Sequence, residues 1–198
     1  MTYSIIGSGA IGSALIRHFA RVGVPVMVAN SRGAAVLREI EDEFGPVVQA
    51  VDVETAARAD VVILALPYAS VPEIAGSADW TGKLVVDATN AIDFSNFTPA
   101  ELGGRLSSHV VGETLAGASV VKGFNTLPAA VLAKDPVTSE GSRTIFLSSD
   151  DPQAADRVAE LVRQLQFAPI YLGRIDEGGR LQQFGGALMV HSLVRQVP

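Results

Sequence analysis

The sequence predicts an α/β chain built on a doubly wound, mainly parallel sheet. Three observations lead there. Apolar runs of strand length alternate with helix-period segments along most of the chain. One run, Val61-Val62-Ile63-Leu64-Ala65-Leu66, is apolar at every position, as suits a parallel strand covered on both faces. A glycine-rich turn, Gly7-Ser8-Gly9-Ala10-Ile11-Gly12, joins the first apolar run to the first helical segment, which is where a Rossmann-type unit places its phosphate turn.

The elements follow in order. Tyr3-Ser4-Ile5-Ile6 reads as the first strand, and Ile11, Ala14, Leu15, Phe19 and Val22 mark one face of the helix behind the glycines. Gly23 closes that helix where a left-handed residue costs little, and His18, beside the apolar stripe, reads as a packing or edge residue. Val24-Pro25-Val26-Met27-Val28-Ala29 is the second strand. Val36, Leu37, Ile40 and Phe44 predict a second helix stopped by Gly45-Pro46, and Val47–Val51 a third strand. A short Ala-rich helix is expected over 53–59, ahead of the fourth strand at 61–66. Leu84–Asp87 and Ser119–Lys122 give the fifth and sixth strands, and Thr144–Leu147 and Pro169–Leu172 the last two. Between those, Asp151 caps a helix with Pro152 at its first position, and Ala155, Val158, Val162 and Leu165 form its buried stripe. Residues 93–106 read as the most irregular stretch and 134–142 as an exposed loop. No repeat or linker interrupts the chain, so residues 1–117 are expected to form a nucleotide-binding core that 118–198 completes as one unit. Ile5, Val26, Val62, Ile63, Val85 and Val121 should all be buried in one sheet.

Composition narrows the function. At 198 residues and 48% hydrophobic, the chain can bury a large core, which excludes a disordered protein. A net charge of −6 argues against a nucleic-acid binder and against an anionic membrane surface. The absence of cysteine excludes disulfides, thiolate catalysis and cysteine zinc sites, and His18, His109 and His191 lack metal-ligand spacing. No stretch approaches the ~20 apolar residues of a membrane span. A strand beginning by residue 3 leaves no room for a signal peptide, so a soluble, cytoplasmic protein is expected.

The chemistry is read from the residues that follow each strand, because ligands of such sheets bind beyond the carboxyl ends. In the first turn, Gly7 suits the tight bend, Gly9 the close approach of a pyrophosphate, and Gly12 the packing of helix on strand. Ser8, Ala10 and Ile11 complete the turn and the helix start, whose free N–H groups and dipole favour phosphate. Asn30-Ser31-Arg32 ends the second strand, where a carboxylate would bind the ribose of NAD. Arg32 would instead pair with a 2′-phosphate, with Ser31 donating beside it, which selects NADP(H). Leu66-Pro67-Tyr68 could pass over the ribose or nicotinamide. Thr89 and Asn90 follow the fifth strand, and Phe124-Asn125-Thr126-Leu127-Pro128 the sixth. Gly178–Gly186 packs four glycines around Gln182, Gln183 and Arg180. No nucleophile, general base or metal cluster stands out, so no catalytic side chain is assigned.

Taken in sequence, the glycine turn, Asn30-Ser31-Arg32, Asp87-Ala88-Thr89-Asn90 and Lys122-Gly123-Phe124-Asn125-Thr126 resemble the NADPH-dependent reductases of the deazaflavin coenzyme F-420. That family also includes the oxidoreductase domain of six-transmembrane ferric reductases. Relatives often carry a further basic residue just after the Ser-Arg pair, whereas Gly33-Ala34-Ala35-Val36-Leu37 has none. The resemblance implies NADP(H) on the first half and a deazaflavin or flavin ring stacked on the nicotinamide near Asn125, Thr126, Leu127 and Pro128. It also implies a small-molecule electron acceptor as partner, and a homodimer. Two alternatives stand beside it. One is a reductase of a small carbonyl or imine with Lys122 as proton donor, which by resemblance would need a long helical dimerisation domain. The other is a non-catalytic NADPH sensor.

Overall fold

A computed structural model of the chain describes residues 1–196. Its strands are β1 (Tyr3–Ile6), β2 (Val26–Ala29), β3 (Val48–Ala50), β4 (Val61–Leu64), β5 (Leu84–Asp87), β6 (Ile92–Asp93), β7 (Thr98–Pro99), β8 (Ser119–Lys122), β9 (Val137–Thr138), β10 (Gly141–Ser149), β11 (Ala168–Tyr171) and β12 (Val194–Gln196). The helices are α1 (Ala10–Val22), α2 (Arg38–Phe44), α3 (Val53–Ala56), α4 (Val71–Ile74), α5 (Ser107–Thr114), α6 (Ala129–Leu132), α7 (Pro152–Gln164) and α8 (Arg180–Gln182). The main sheet runs β3-β2-β1-β4-β5-β8-β10-β11. From β3 to β8 every neighbouring pair is parallel. The strand order reverses between β1 and β4, and the glycine turn leaves β1 at that switch point.

Alternation along the strands divides the core. Ile5, Val61, Ile63, Val86 and Val121 face the layer that holds Leu15, Phe19 of α1 and Val158, Val162 of α7. Ile6, Val62, Leu64 and Val85 face the other layer, with Ala56, Val71, Ile74, Val111 and Trp80. All six residues expected in one buried sheet are there, none more than 3% exposed. Each such side chain contributes about 1.5–3 kcal/mol over its exposed state, which is why a four-residue strand suffices when both faces are covered. The caps also form as read. Gly23 sits at φ +71° at the end of α1, and Asp151 Oδ1 accepts from the N–H groups of Gln153 and Ala154. His18 is a buried packing residue, with Nε2 2.5 Å from the Leu132 carbonyl and its ring edge-on to Phe167.

Several boundaries differ from the sequence reading. The second strand starts at Val26, not Val24, and the fourth ends at Leu64, not Leu66. The stretch 134–142 is not simply a loop: β9 pairs antiparallel with the start of β10, and Arg143 N–H bonds to the Pro136 carbonyl. The stretch 93–106 contains the β6–β7 hairpin, whose Phe94 and Phe97 are 76% and 67% exposed. Helix α5 went unread because Ser107-Ser108-His109-Val110-Val111-Gly112 is poor in helix formers. It is held by Val111 and Leu115 in the core and by the bond from Ser108 to Asp87.

The second half adds β8, β10 and β11 to the first-half sheet, but β10 runs antiparallel to β8. Their pairing is brief, Ser148 opposite Lys122 and Ser149 opposite Val121. The earlier part of β10 therefore projects past the carboxyl end of β8, where it pairs with β12. Gln182 fills the opening between the diverging strands. Its Nε2 donates to the Phe146 carbonyl at 2.9 Å and the Lys122 carbonyl at 3.4 Å, and its Oε1 accepts from Ser148 Oγ. One side chain thus replaces the ladder bonds lost where the strands part. Among the described residues no helix is long and apolar enough to cross a membrane.

Candidate functional site

The carboxyl edge of the parallel strands gathers the residues singled out above. Gly7 N–H bonds to the Ala29 carbonyl at 2.8 Å, which draws the turn against β2. A Cβ on Gly7, at φ +115°, would lie 2.1 Å from the Ala65 carbonyl oxygen, and one on Gly12 would lie 1.9 Å from that of Gly7. Only glycine fits either place. Gly9 differs: a Cβ there would meet nothing within 4 Å. The space over Gly9 is open, and α1 begins there with no side-chain cap and no acidic residue in its first turn. Its leading N–H groups, including those of Ala10, Ile11 and Gly12, have no partner within the helix. An open cradle at the positive end of a helix fits a pyrophosphate.

Asn30 couples this cradle to the end of β2. Buried at 8% exposure, it donates from Nδ2 to Ser8 Oγ at 2.8 Å and accepts at Oδ1 from the Arg32 N–H at 2.9 Å. That second bond makes an Asx-turn, which fixes the backbone of Ser31 and Arg32. Both of those side chains are exposed, and among the described residues Arg32 takes part in no ion pair. After β4, Leu66 is half-buried and Pro67 exposed, and Tyr68 opens a short turn. The Tyr68 hydroxyl is buried without a partner among the described residues; burial, and then the Asp87 charge, raise its pKa.

Between β5 and β8 lies an ion pair with almost no solvent contact. Lys122 Nζ donates to Asp87 Oδ2 at 3.1 Å and to the Thr89 carbonyl at 3.2 Å. Asp87 also accepts from Ser108 Oγ at 2.5 Å, from Thr89 N–H at 2.9 Å and from Thr89 Oγ1 at 2.6 Å. Burial alone would push this carboxyl up. The Lys122 charge and the hydroxyl and N–H donors outweigh it and hold Asp87 below the ordinary carboxylate range. Both residues end apolar strands and face each other in register. A charge closing an otherwise buried parallel strand was the available signal, and the sequence reading used it only for Lys122.

The loop after β8 meets the loop after β5. Asn90 Nδ2 donates to the Asn125 carbonyl at 2.9 Å, and Asn125 Nδ2 donates back to Asn90 Oδ1 at 3.0 Å and to the Gln182 carbonyl at 2.7 Å. Asn125, Thr126 and Leu127 are 2–3% exposed, while Pro128 is exposed and opens α6. Asn125 Oδ1 is buried and has no partner among the described residues. The glycine segment enters through a π-helical turn at Ile175–Gly179 followed by α8, and it lies directly on Asn125. Gly178 is forced by packing, since a Cβ would sit 2.3 Å from that of Leu172. The segments singled out from the sequence thus lie along one edge; Ser108 and the part Gln182 plays in joining them were not foreseen.

Residues 2–91 match the family model described as NADP oxidoreductase, coenzyme F420-dependent. The solved structure of a hypothetical protein from Sinorhizobium meliloti is 52% identical, with a TM-score of 0.96 over 99% of this chain and 96% of that one. That of a candidate F420-dependent NADP-reductase from Arthrobacter is 26% identical, with a TM-score of 0.73 over 89% of this chain and 86% of that one. The human metalloreductase STEAP2 is 25% identical over 189 residues, covering 92% of this chain and 35% of that protein. The chain therefore spans only 35% of the length of the curated relatives it matches. Residues 2–91, which hold the open phosphate cradle at the switch point of the parallel sheet, therefore carry the domain of the F420-dependent type of NADP oxidoreductase, an NADP-dependent family.

Proposed function

We propose that this protein transfers hydride between NADPH and a planar deazaflavin- or flavin-like acceptor. The observation that carries the reading is the Asn30 tie, which sets the open cradle at Gly9 and the exposed Ser31-Arg32 pair side by side. Gly7, Ser8, Gly9, Ala10, Ile11 and Gly12 would hold the pyrophosphate, and Ser31 and Arg32 the 2′-phosphate. Leu66, Pro67 and Asn90 would flank the nicotinamide half, with the acceptor ring beside Asn125, Thr126, Leu127 and Pro128. NADPH held there would supply a hydride to the acceptor ring, leaving NADP⁺ and a reduced ring that takes its proton from bulk solvent once the site reopens. The protein's part is to align two rings and exclude water, which needs no nucleophile. Lys122 is spoken for by Asp87 and the Thr89 carbonyl and is 1% exposed, which disfavours the carbonyl- or imine-reductase reading with Lys122 as proton donor.

An acceptor panel tests the proposal. Purified protein with NADPH is offered the deazaflavin coenzyme, riboflavin, FMN, FAD and menadione, and NADPH absorbance is followed. The expected result is consumption with deazaflavin or flavin. Tight NADPH binding with no turnover on any acceptor would favour the sensor reading instead. A cytoplasmic homodimer belongs to the same proposal, on family likeness, and sedimentation at micromolar concentration checks the dimer.

A further inference from the structure

The acceptor loop is covered by the chain's own C-terminal segment. Residues 183–193 leave α8 and cross over Asn125 and Thr126. Val190 N–H bonds to the Thr126 carbonyl at 2.8 Å, and Met189 Sδ lies 3.9 Å from Asn125 Nδ2. At its near end the strap turns at Gly185, φ +84°, where a Cβ would lie 2.7 Å from Pro99 Cγ, and Phe184 stacks edge-on against Phe97 at 5.4 Å. Ala187, Val190, His191, Ser192 and Leu193 are exposed.

The covered arrangement carries two local penalties. Val190 sits at φ +60°, an unfavourable backbone region for a β-branched residue, while 67% exposed, so no burial of its side chain offsets the strain. Beneath the strap, Asn125 Oδ1 is sealed from water with no donor among the described residues. The amide cannot flip to cure this. Its Nδ2 already serves two acceptors, Asn90 Oδ1 and the Gln182 carbonyl, so the oxygen is the only end left for a ligand. Gln182 lies before the strap and is anchored to Ser148, Phe146 and Lys122, so lifting residues 183–193 leaves the amide held.

We propose that residues 183–193 are a lid over the acceptor pocket, and that Asn125 Oδ1, uncovered when it lifts, selects the acceptor by accepting a hydrogen bond from an N–H on the ring edge. This inference rests on the acceptor reading above and sharpens it. Isoalloxazine and deazaflavin rings carry an imide N–H, whereas a quinone offers only carbonyl oxygens, which an amide oxygen cannot bind. Asn125 is thus a specificity residue that favours flavin-like rings over quinones.

The test uses riboflavin and 3-methylriboflavin, which differ at that N–H. Their binding to the full chain with NADP⁺ is titrated by flavin fluorescence. Riboflavin should bind about tenfold tighter or more, the usual penalty of leaving a buried acceptor unpaired. Asn125→Leu should bring the two dissociation constants within about twofold. Equal binding of both flavins by the unmodified chain overturns the inference while leaving the acceptor reading intact. Binding of neither flavin, with menadione still reduced by NADPH, overturns both. Hydrogen exchange of the native chain reads the lid directly. The Val190 amide should exchange at least tenfold faster when riboflavin and NADP⁺ are both present, and unchanged or slower exchange contradicts the lid.

Discussion

Replacing Lys122 with Met removes one half of a sealed ion pair and keeps most of the side chain's length. In the native protein Asp87 is 0% exposed and balanced by one ammonium, two hydroxyls and one backbone N–H. Met leaves the carboxylate buried with its other hydrogen bonds but without a countercharge, and strips the Thr89 carbonyl of the Lys122 donor. Breaking a buried pair from one side costs about 3–5 kcal/mol, because the remaining charge is uncompensated. With a urea slope of about 2 kcal/mol/M, the midpoint should fall by roughly 1.5–2.5 M. The pH dependence gives an independent check. In the native chain the folded Asp87 pKa is depressed, so its contribution is present above the unfolded value of about 3.9 and is lost as pH falls through the folded pKa. Without Lys122, burial raises that pKa and the variant regains stability as the carboxyl protonates. The gap between the two proteins should therefore narrow from pH 7 towards pH 4. A loss under about 1 kcal/mol at pH 7, or a gap independent of pH, would refute the claim that this pair holds β5 to β8.

The glycine turn separates packing from binding. Gly12→Ala places a methyl 1.9 Å from the Gly7 carbonyl oxygen, so it should destabilise the fold by about 1–3 kcal/mol in urea melts. Gly9→Ala meets nothing within 4 Å, so it should melt like the native chain yet bind NADPH more weakly in calorimetry, because its methyl occupies the space assigned to phosphate. Asp151→Ala removes the acceptor for two N–H groups at the start of α7 and should cost about 1 kcal/mol, with NADPH affinity unchanged.

Much of this was legible in the residues. The parallel strands are short β-branched runs, and the run at 61–66 could only be buried on both faces. Gly23 and Asp151-Pro152 mark helix ends by local chemistry, so their reading needed no tertiary knowledge. What stayed hidden depends on distant partners. An apolar run reads alike in either direction, so the reversal of β10 at Thr144–Leu147 left no trace. Helix α5 exists because Val111 and Leu115 pack, against the preference of its own serines and glycine. The bonds from Asn125 to Gln182 and from Val190 to Thr126 join positions more than fifty residues apart. The adjacency of those loops follows from the sheet order, and no local pattern announces it.

The central claim is that the end of β2 selects the phosphorylated dinucleotide, and Arg32→Ala tests it most directly. The side chain is exposed and free of ion pairs among the described residues, so its loss should leave stability within about 0.5 kcal/mol. Equilibrium titration of both proteins with NADPH and NADH separates the roles. A charge-assisted bond to phosphate contributes about 1.5–3 kcal/mol, so NADPH should bind the variant roughly tenfold to a hundredfold more weakly, with NADH nearly unaffected. Equal losses for the two cofactors, or none for either, would contradict the account.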